Sequence, residues 1–202
     1  MKANMVQRTD YDGALCINRT SGLTDQAEWI PSPNCDARPS NMELELIVVH
    51  GISLPPDQFG GEAITQLFTN QLNPRQDPYF EKIKDLNVSA HVLIRRDGSL
   101  IQYVPFHKRA WHAGVSRFKG REACNDFSVG IELEGTDRHC YTASQYESLA
   151  NLIKGLWQAY PSLHEKYIVG HCDIAPGRKT DPGPCFVWPA LERLLDWKKT
   201  PL

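Results

Sequence analysis

Leu44-Glu45-Leu46-Ile47-Val48-Val49-His50 is the stretch that decides the fold. Its apolar run is too short for a helix and is rich in β-branched residues, so it reads as a strand buried in a sheet. The run ends on a histidine, and a strand end is where sheet proteins tend to place their sites. The next segment, Leu54-Pro55-Pro56-Asp57-Gln58-Phe59-Gly60-Gly61, cannot continue a strand and becomes a loop beside His50.

Working outward, Val88 to Arg95 and Leu100 to Pro105 flank Arg96-Asp97-Gly98-Ser99, and Asp-Gly between two such runs predicts a hairpin. In Ser128-Val129-Gly130-Ile131-Glu132-Leu133-Glu134-Gly135, alternation puts Val129, Ile131 and Leu133 on a face that must meet a helix. Glu132 and Glu134 take the other face, toward a cleft or solvent. Thr142 opens a helix carrying Tyr146, Leu149, Ile153, Leu156 and Trp157 on one stripe, with Glu147 near capping-box distance. Short helices are expected around Ile64 to Phe68 and Pro78 to Leu86, a strand over Tyr167 to Gly170 that delivers His171, and a closing helix over Trp188 to Trp197. Residues 1–27 lack a period and read as a loosely attached extension, leaving residues 28–202 as the domain proper.

The 202 residues, 41% of them hydrophobic, suit one core without stapling. Lys and Arg number 22 against 24 Asp and Glu, a formal charge of -2, so neither nucleic acid nor a membrane surface is an expected partner. The N-terminus shows no apolar secretory core, which points to the cytoplasm. Six cysteines at irregular spacing, with no C-x-x-C, are expected to remain thiols there.

The chemistry concentrates in His171-Cys172-Asp173-Ile174-Ala175-Pro176-Gly177-Arg178-Lys179-Thr180-Asp181-Pro182-Gly183. If the strands before His50 and His171 are neighbours, both imidazoles emerge at one sheet edge and Asp181 returns to meet them, an open zinc site of three N/O ligands. His91, His107 and His112 compete as ligands; the first two are more simply sheet-surface side chains, and Trp111 with His112 sits on a small-residue loop suited to lining a groove. Amide hydrolysis needs a base and a cation, and Glu132 and Lys179 are the candidates, with Glu134 taken as the more easily solvated carboxylate. A cysteine nucleophile has no local signature in its favour.

Four segments carry a family resemblance: 48–56, 109–116, 125–137 and 170–183. They resemble the type 2 N-acetylmuramoyl-L-alanine amidases, which include phage amidases and peptidoglycan recognition proteins. The match runs in order over roughly residues 29 to 197. It implies an α+β, three-layer domain with a mixed central sheet flanked by helices, and one zinc held by His50, His171 and Asp181. Asp181 stands where the recognition amidases have cysteine. The resemblance further implies that Glu132 activates water, that Lys179 stabilises the tetrahedral intermediate, and that Trp111 and His112 border the muramyl site. The implied substrate is an anhydro-muropeptide, cut between the lactyl group of 1,6-anhydro-N-acetylmuramic acid and L-alanine. In the family this serves cell-wall recycling and thereby controls β-lactamase induction. Gly51 departs from the asparagine many members carry, and Asn87 and Ala123 replace arginines near the sugar. A non-catalytic peptidoglycan-binding module of the same fold is the alternative.

Overall fold

The structure is a computed structural model and describes residues 12–163 and 167–197. Along the chain, β1 (Ile17–Asn18) pairs with β2 (Leu23–Thr24), β3 (Ala27–Trp29) follows, and β4 (Cys35–Ala37) precedes the long strand β5 (Leu46–Ile52). Two short helices, α1 (Ala63–Phe68) and α2 (Pro78–Ile83), lead to the hairpin β6 (Val92–Ile94) and β7 (Leu100–Gln102). After β8 (Lys108–Ala110), β9 (Arg117–Phe118) and β10 (Arg121–Glu122) comes β11 (Ser128–Glu134), then α3 (Ala143–Ala159), β12 (Ile168–Gly170), α4 (His171–Ile174) and α5 (Trp188–Leu195).

Six strands form the central sheet in the order β12-β5-β11-β6-β7-β3. The first four run parallel, and β7 turns antiparallel on β6 at the Asp97-Gly98 turn, where Gly98 takes a φ of +88°. A side chain on Gly98 would meet the Ser144 carbonyl, so the turn needs glycine for both conformation and space.

Alternation sorts the strands as the sequence pattern predicts. Ile47, Val49, Val129, Ile131 and Leu133 pack against Leu149, Ile153 and Leu156 of α3 and Leu191 of α5. Leu46 and Val48 point the other way, to Phe127, Val169 and Ile174, while Leu93 and Ile101 meet Leu67, Phe68 and Phe80 of α1 and α2. Each such aliphatic side chain contributes roughly 1.5 to 3 kcal/mol by leaving water. The α3 cap differs from expectation in its partner: the Thr142 hydroxyl accepts from the Gln145 N–H while the Gln145 side chain accepts from the Thr142 N–H. Glutamine at the third helical position therefore closes the capping box, and Glu147 lies too far along the helix to do so.

The segment expected to be a loosely attached extension lies partly outside the described residues, at 1–11. Within 12–27 the segment is anchored to the domain at Leu15. Leu15 is buried, its N–H donates to the Asn151 carbonyl, and its own carbonyl lies against Gly155, where a Cβ would come within 2.3 Å. One buried leucine and a partly buried Ile17 give no readable period, so the pattern was silent on this contact.

Candidate active site

Parallel pairing builds the site by register. Glu132 on β11 stands directly beside His50 on β5, and Gly170 on β12 pairs with Val49, so His171 follows at the level of His50. Since 47 and 49 face α3, His50 and Glu132 face the opposite side, under the loops. His171 opens α4 rather than sitting in a loop, and the Gly170 N–H at the start of that helical turn donates to Asp173. From α4 the chain returns so that the Cys172 N–H donates to the Asp181 carbonyl, which brings the Asp181 side chain back over the two histidines.

Three ligand-type atoms converge. His50 Nδ1 is 3.0 Å from His171 Nδ1, and Asp181 Oδ2 is 3.2 Å from the first and 3.1 Å from the second. Donors around a tetrahedral ion with bonds of about 2.0 Å stand roughly 3.3 Å apart, so this triangle fits one small divalent cation. His50 and His171 are buried. Burial, which outweighs the pull of the neighbouring Asp181 carboxylate, pushes His50 down to about 4, leaving it neutral near pH 7 with a lone pair to donate. Burial works against the Asp181 charge, but the adjoining His171 and His50 imidazoles overcome it and hold the carboxylate well below its ordinary range. His50, His171 and Asp181 can therefore hold a metal ion.

Glu132 Oε1 lies 3.9 Å from His50 Nδ1, and its Oε2 is buried without a hydrogen-bond partner. Burial first, and then the Asp181 charge, raise the Glu132 carboxyl well above its usual range, with Lys179 pulling the other way. Lys179, Glu132, Asp181, His171 and His112 line a common cleft of about 290 Å³, whose lining also includes the apolar Leu67, Phe68, Tyr79 and Leu86.

The two remaining sequence candidates, Trp111 and His112, take different places. Trp111 does not line this cleft; its indole is directed to the Asp36 carboxylate. The His112 ring edges the cleft, but both of its nitrogens are taken up inside the protein, by His50 at 2.9 Å and Ser128 at 3.1 Å. Glu134, expected to be the more solvated carboxylate, is 1% exposed, accepting from the Gly60 N–H at 2.8 Å and the Arg96 N–H at 3.1 Å. His91 is likewise fully buried rather than on a sheet surface.

Sequence reasoning did not find Tyr141, Tyr79 or Arg178. The Tyr141 hydroxyl donates to the Pro182 carbonyl at 2.9 Å and fills the space where a Gly51 side chain would stand, 2.3 Å from its oxygen. Glycine at 51 was the only signal for it. Arg178 donates to the Ala113 and Val115 carbonyls at 2.7 Å each, tying the ligand loop to the loop that follows Trp111.

A sheet edge presenting two imidazoles, a carboxylate and a second, partnerless carboxylate in one cleft is the framework of a single-metal hydrolase. The sequence profile of the N-acetylmuramoyl-L-alanine amidase family, Amidase_2, matches residues 40–184, and the chain belongs to that family. It is 57% identical over 174 residues to the 1,6-anhydro-N-acetylmuramyl-L-alanine amidase AmpD of Escherichia coli (strain K12), covering 86% of this chain and 94% of that protein. A crystal structure of a selenomethionine AmpD derivative superposes with a TM-score of 0.87 at 52% identity, over 90% of this chain and 99% of that one. AmpDh3 from Pseudomonas aeruginosa, solved in complex with an anhydromuramic pentapeptide, has a TM-score of 0.56 at 30% identity, over 75% and 59% of the two chains.

Proposed function

We propose that the chain is a zinc-dependent, cytoplasmic amidase that separates 1,6-anhydro-N-acetylmuramic acid from the L-alanine of its stem peptide in muropeptide recycling, and so influences β-lactamase induction. The observation that carries the proposal is the convergence of His50 Nδ1, His171 Nδ1 and Asp181 Oδ2 within 3.2 Å of one another, next to a buried Glu132 oxygen with no partner. Zinc bound there would lower the pKa of a water molecule and polarise the lactyl carbonyl.

The protein's own groups supply the rest. Glu132 orients the attacking water and takes its proton at the free carboxylate oxygen, then returns that proton to the L-alanine nitrogen as the C–N bond breaks. Burial favours the protonated form of this carboxyl, so it accepts the water's proton readily. Lys179, on the lining of the same cleft, offsets the negative charge that develops on the carbonyl oxygen. The exposed side chains of Tyr79 and Leu86 on the cleft lining give the muropeptide an apolar surface to rest on.

Mass spectrometry of products from paired anhydro and ordinary muropeptides tests the substrate. Release of L-alanine-initiated peptide from the anhydro form, abolished together with zinc content in His50→Ala, His171→Ala and Asp181→Ala, is the expected outcome. Full zinc content in all three variants refutes the ligand set, and muropeptide binding without any cleavage would mark a binding module instead.

A further inference from the structure

A line of hydrogen bonds behind the metal-type triangle has its direction fixed at one end. The Ser128 hydroxyl is 2.6 Å from the Cys124 carbonyl oxygen. A carbonyl cannot donate, so at that distance the hydroxyl proton must lie between the two oxygens. Ser128 Oγ can then only accept from His112 Nε2, 3.1 Å away, which places the ring proton of neutral His112 on Nε2 and leaves Nδ1 bare. That Nδ1 is 2.9 Å from His50 Nε2 and accepts its proton, so the His50 lone pair is left on Nδ1, facing His171 and Asp181. His171 is set in the same way by the Ala113 carbonyl, which accepts from its Nε2 at 3.1 Å.

The space for this relay is built into β11. A Cβ on Gly130 would stand 2.3 Å from His112 Cγ and within 2.6 Å of two further ring atoms, so the imidazole lies flat on a residue that must be glycine. The Asn125 side chain holds the ring's backbone by accepting from the His112 and Ala113 N–H groups at 3.1 and 2.8 Å.

Resting on the metal site proposed above, we infer that His112 is a positioning residue: through the Cys124–Ser128–His112–His50 hydrogen bonds it fixes the tautomer and ring orientation of His50 for metal binding. Groups that hold the second nitrogen of a metal-bound histidine typically change affinity by about ten- to a hundredfold when removed.

Nitrogen-15 NMR of the imidazoles in the metal-free protein, with zinc dissociation constants from competition with a chromogenic chelator, tests it. His112 should show a protonated Nε2 and a bare Nδ1. His112→Leu should weaken zinc binding by about ten- to a hundredfold, whereas His112→Asn, whose side-chain oxygen replaces the Nδ1 acceptor, should return it to within a few fold. Gly130→Ala, which leaves every donor in place and moves only the ring, should weaken zinc as His112→Leu does. Thermal midpoints of the metal-free variants establish that the fold persists. Should His112→Leu fail to fold, Ser128→Ala decides, expected to give a mixture of His112 tautomers and weaker zinc binding. A proton on His112 Nδ1, zinc affinity unchanged in His112→Leu or in Ser128→Ala, or His112→Asn as weak as His112→Leu overturns the inference. A wild-type protein that binds no zinc would instead refute the proposed function, and the tautomer measured without metal still decides the relay.

Discussion

Glu132 and Glu134 project from the same face of β11, two residues apart, yet they meet opposite surroundings. Glu134 is anchored by two backbone N–H groups, and Arg95 lies 3.8 Å away. Glu132 keeps an oxygen with no partner, an arrangement that costs stability and is retained where a group has chemistry to perform. The two positions should therefore respond in opposite ways. Glu132→Gln is expected to lower turnover by about a hundredfold or more while leaving the thermal midpoint unchanged or higher, and Lys179→Ala to lower turnover on the order of a hundred- to a thousandfold with substrate affinity held within a few fold. Turnover at saturating substrate, read beside binding constants, checks both. Glu134→Ala frees the Gly60 and Arg96 N–H groups from their acceptor and should cost roughly 1 to 3 kcal/mol, read as a lower urea midpoint. A Glu134 variant as stable as wild type would show that the loop over residues 53–61 needs no such anchor. Alternation alone made the two glutamates equivalent, and only the loops that fold back over β11 distinguish them.

Within β5, Gly51 follows the first metal-type histidine and leaves a place that Tyr141, from the connection between β11 and α3, fills. Gly51→Ala should push the phenol off the Pro182 carbonyl and disturb the neighbouring Asp181, costing about 1 to 3 kcal/mol as overpacking does. Adding Tyr141→Phe removes the clashing oxygen and should recover part of that loss; thermal midpoints of the single and double variants measure it, and equal losses would refute the steric account. Strand ends and helix stripes were legible in the sequence because their apolar residues recur at period 2 or 3.6: β5, β11, the β6–β7 hairpin, α3 and α5 all occur where the pattern puts them. The pairing of His50 with Glu132 was not, since nothing local to either strand encodes its neighbour's register. The destinations of Trp111 and His112 were hidden for a related reason: their partners Asp36, Ser128 and His50 are distant in sequence.

At the scale of the whole molecule, stability and acidity are linked through histidines buried in the neutral form. His91 Nδ1 accepts the Gly130 N–H at 3.0 Å, and its Nε2 faces the Lys108 carbonyl at 3.1 Å. Burial, reinforced by the Arg38 guanidinium, pushes it down to about 3. The unfolded chain takes up that proton near pH 6.5, so the stability held by neutral His91 is fully present above that value and is lost as pH falls toward 3. Urea midpoints of the metal-free protein should decline across this window, and His91→Asn should decline with a slope smaller by about one proton; an unchanged slope would place the titration elsewhere. Register has a consequence for assembly itself. Because side chains alternate along a strand, slipping β5 by one residue against β11 and β12 would turn His50 into the α3 core and put a valine or a glycine in its place. A metal ion held by residues from β5, from α4 beyond β12 and from the returning loop can bind only the correctly aligned chain, so its binding energy is added to that alignment and to no other. Once metal is bound, the centre would serve as a proofreader of folding, rewarding the one threading of the sheet that can also carry out the reaction.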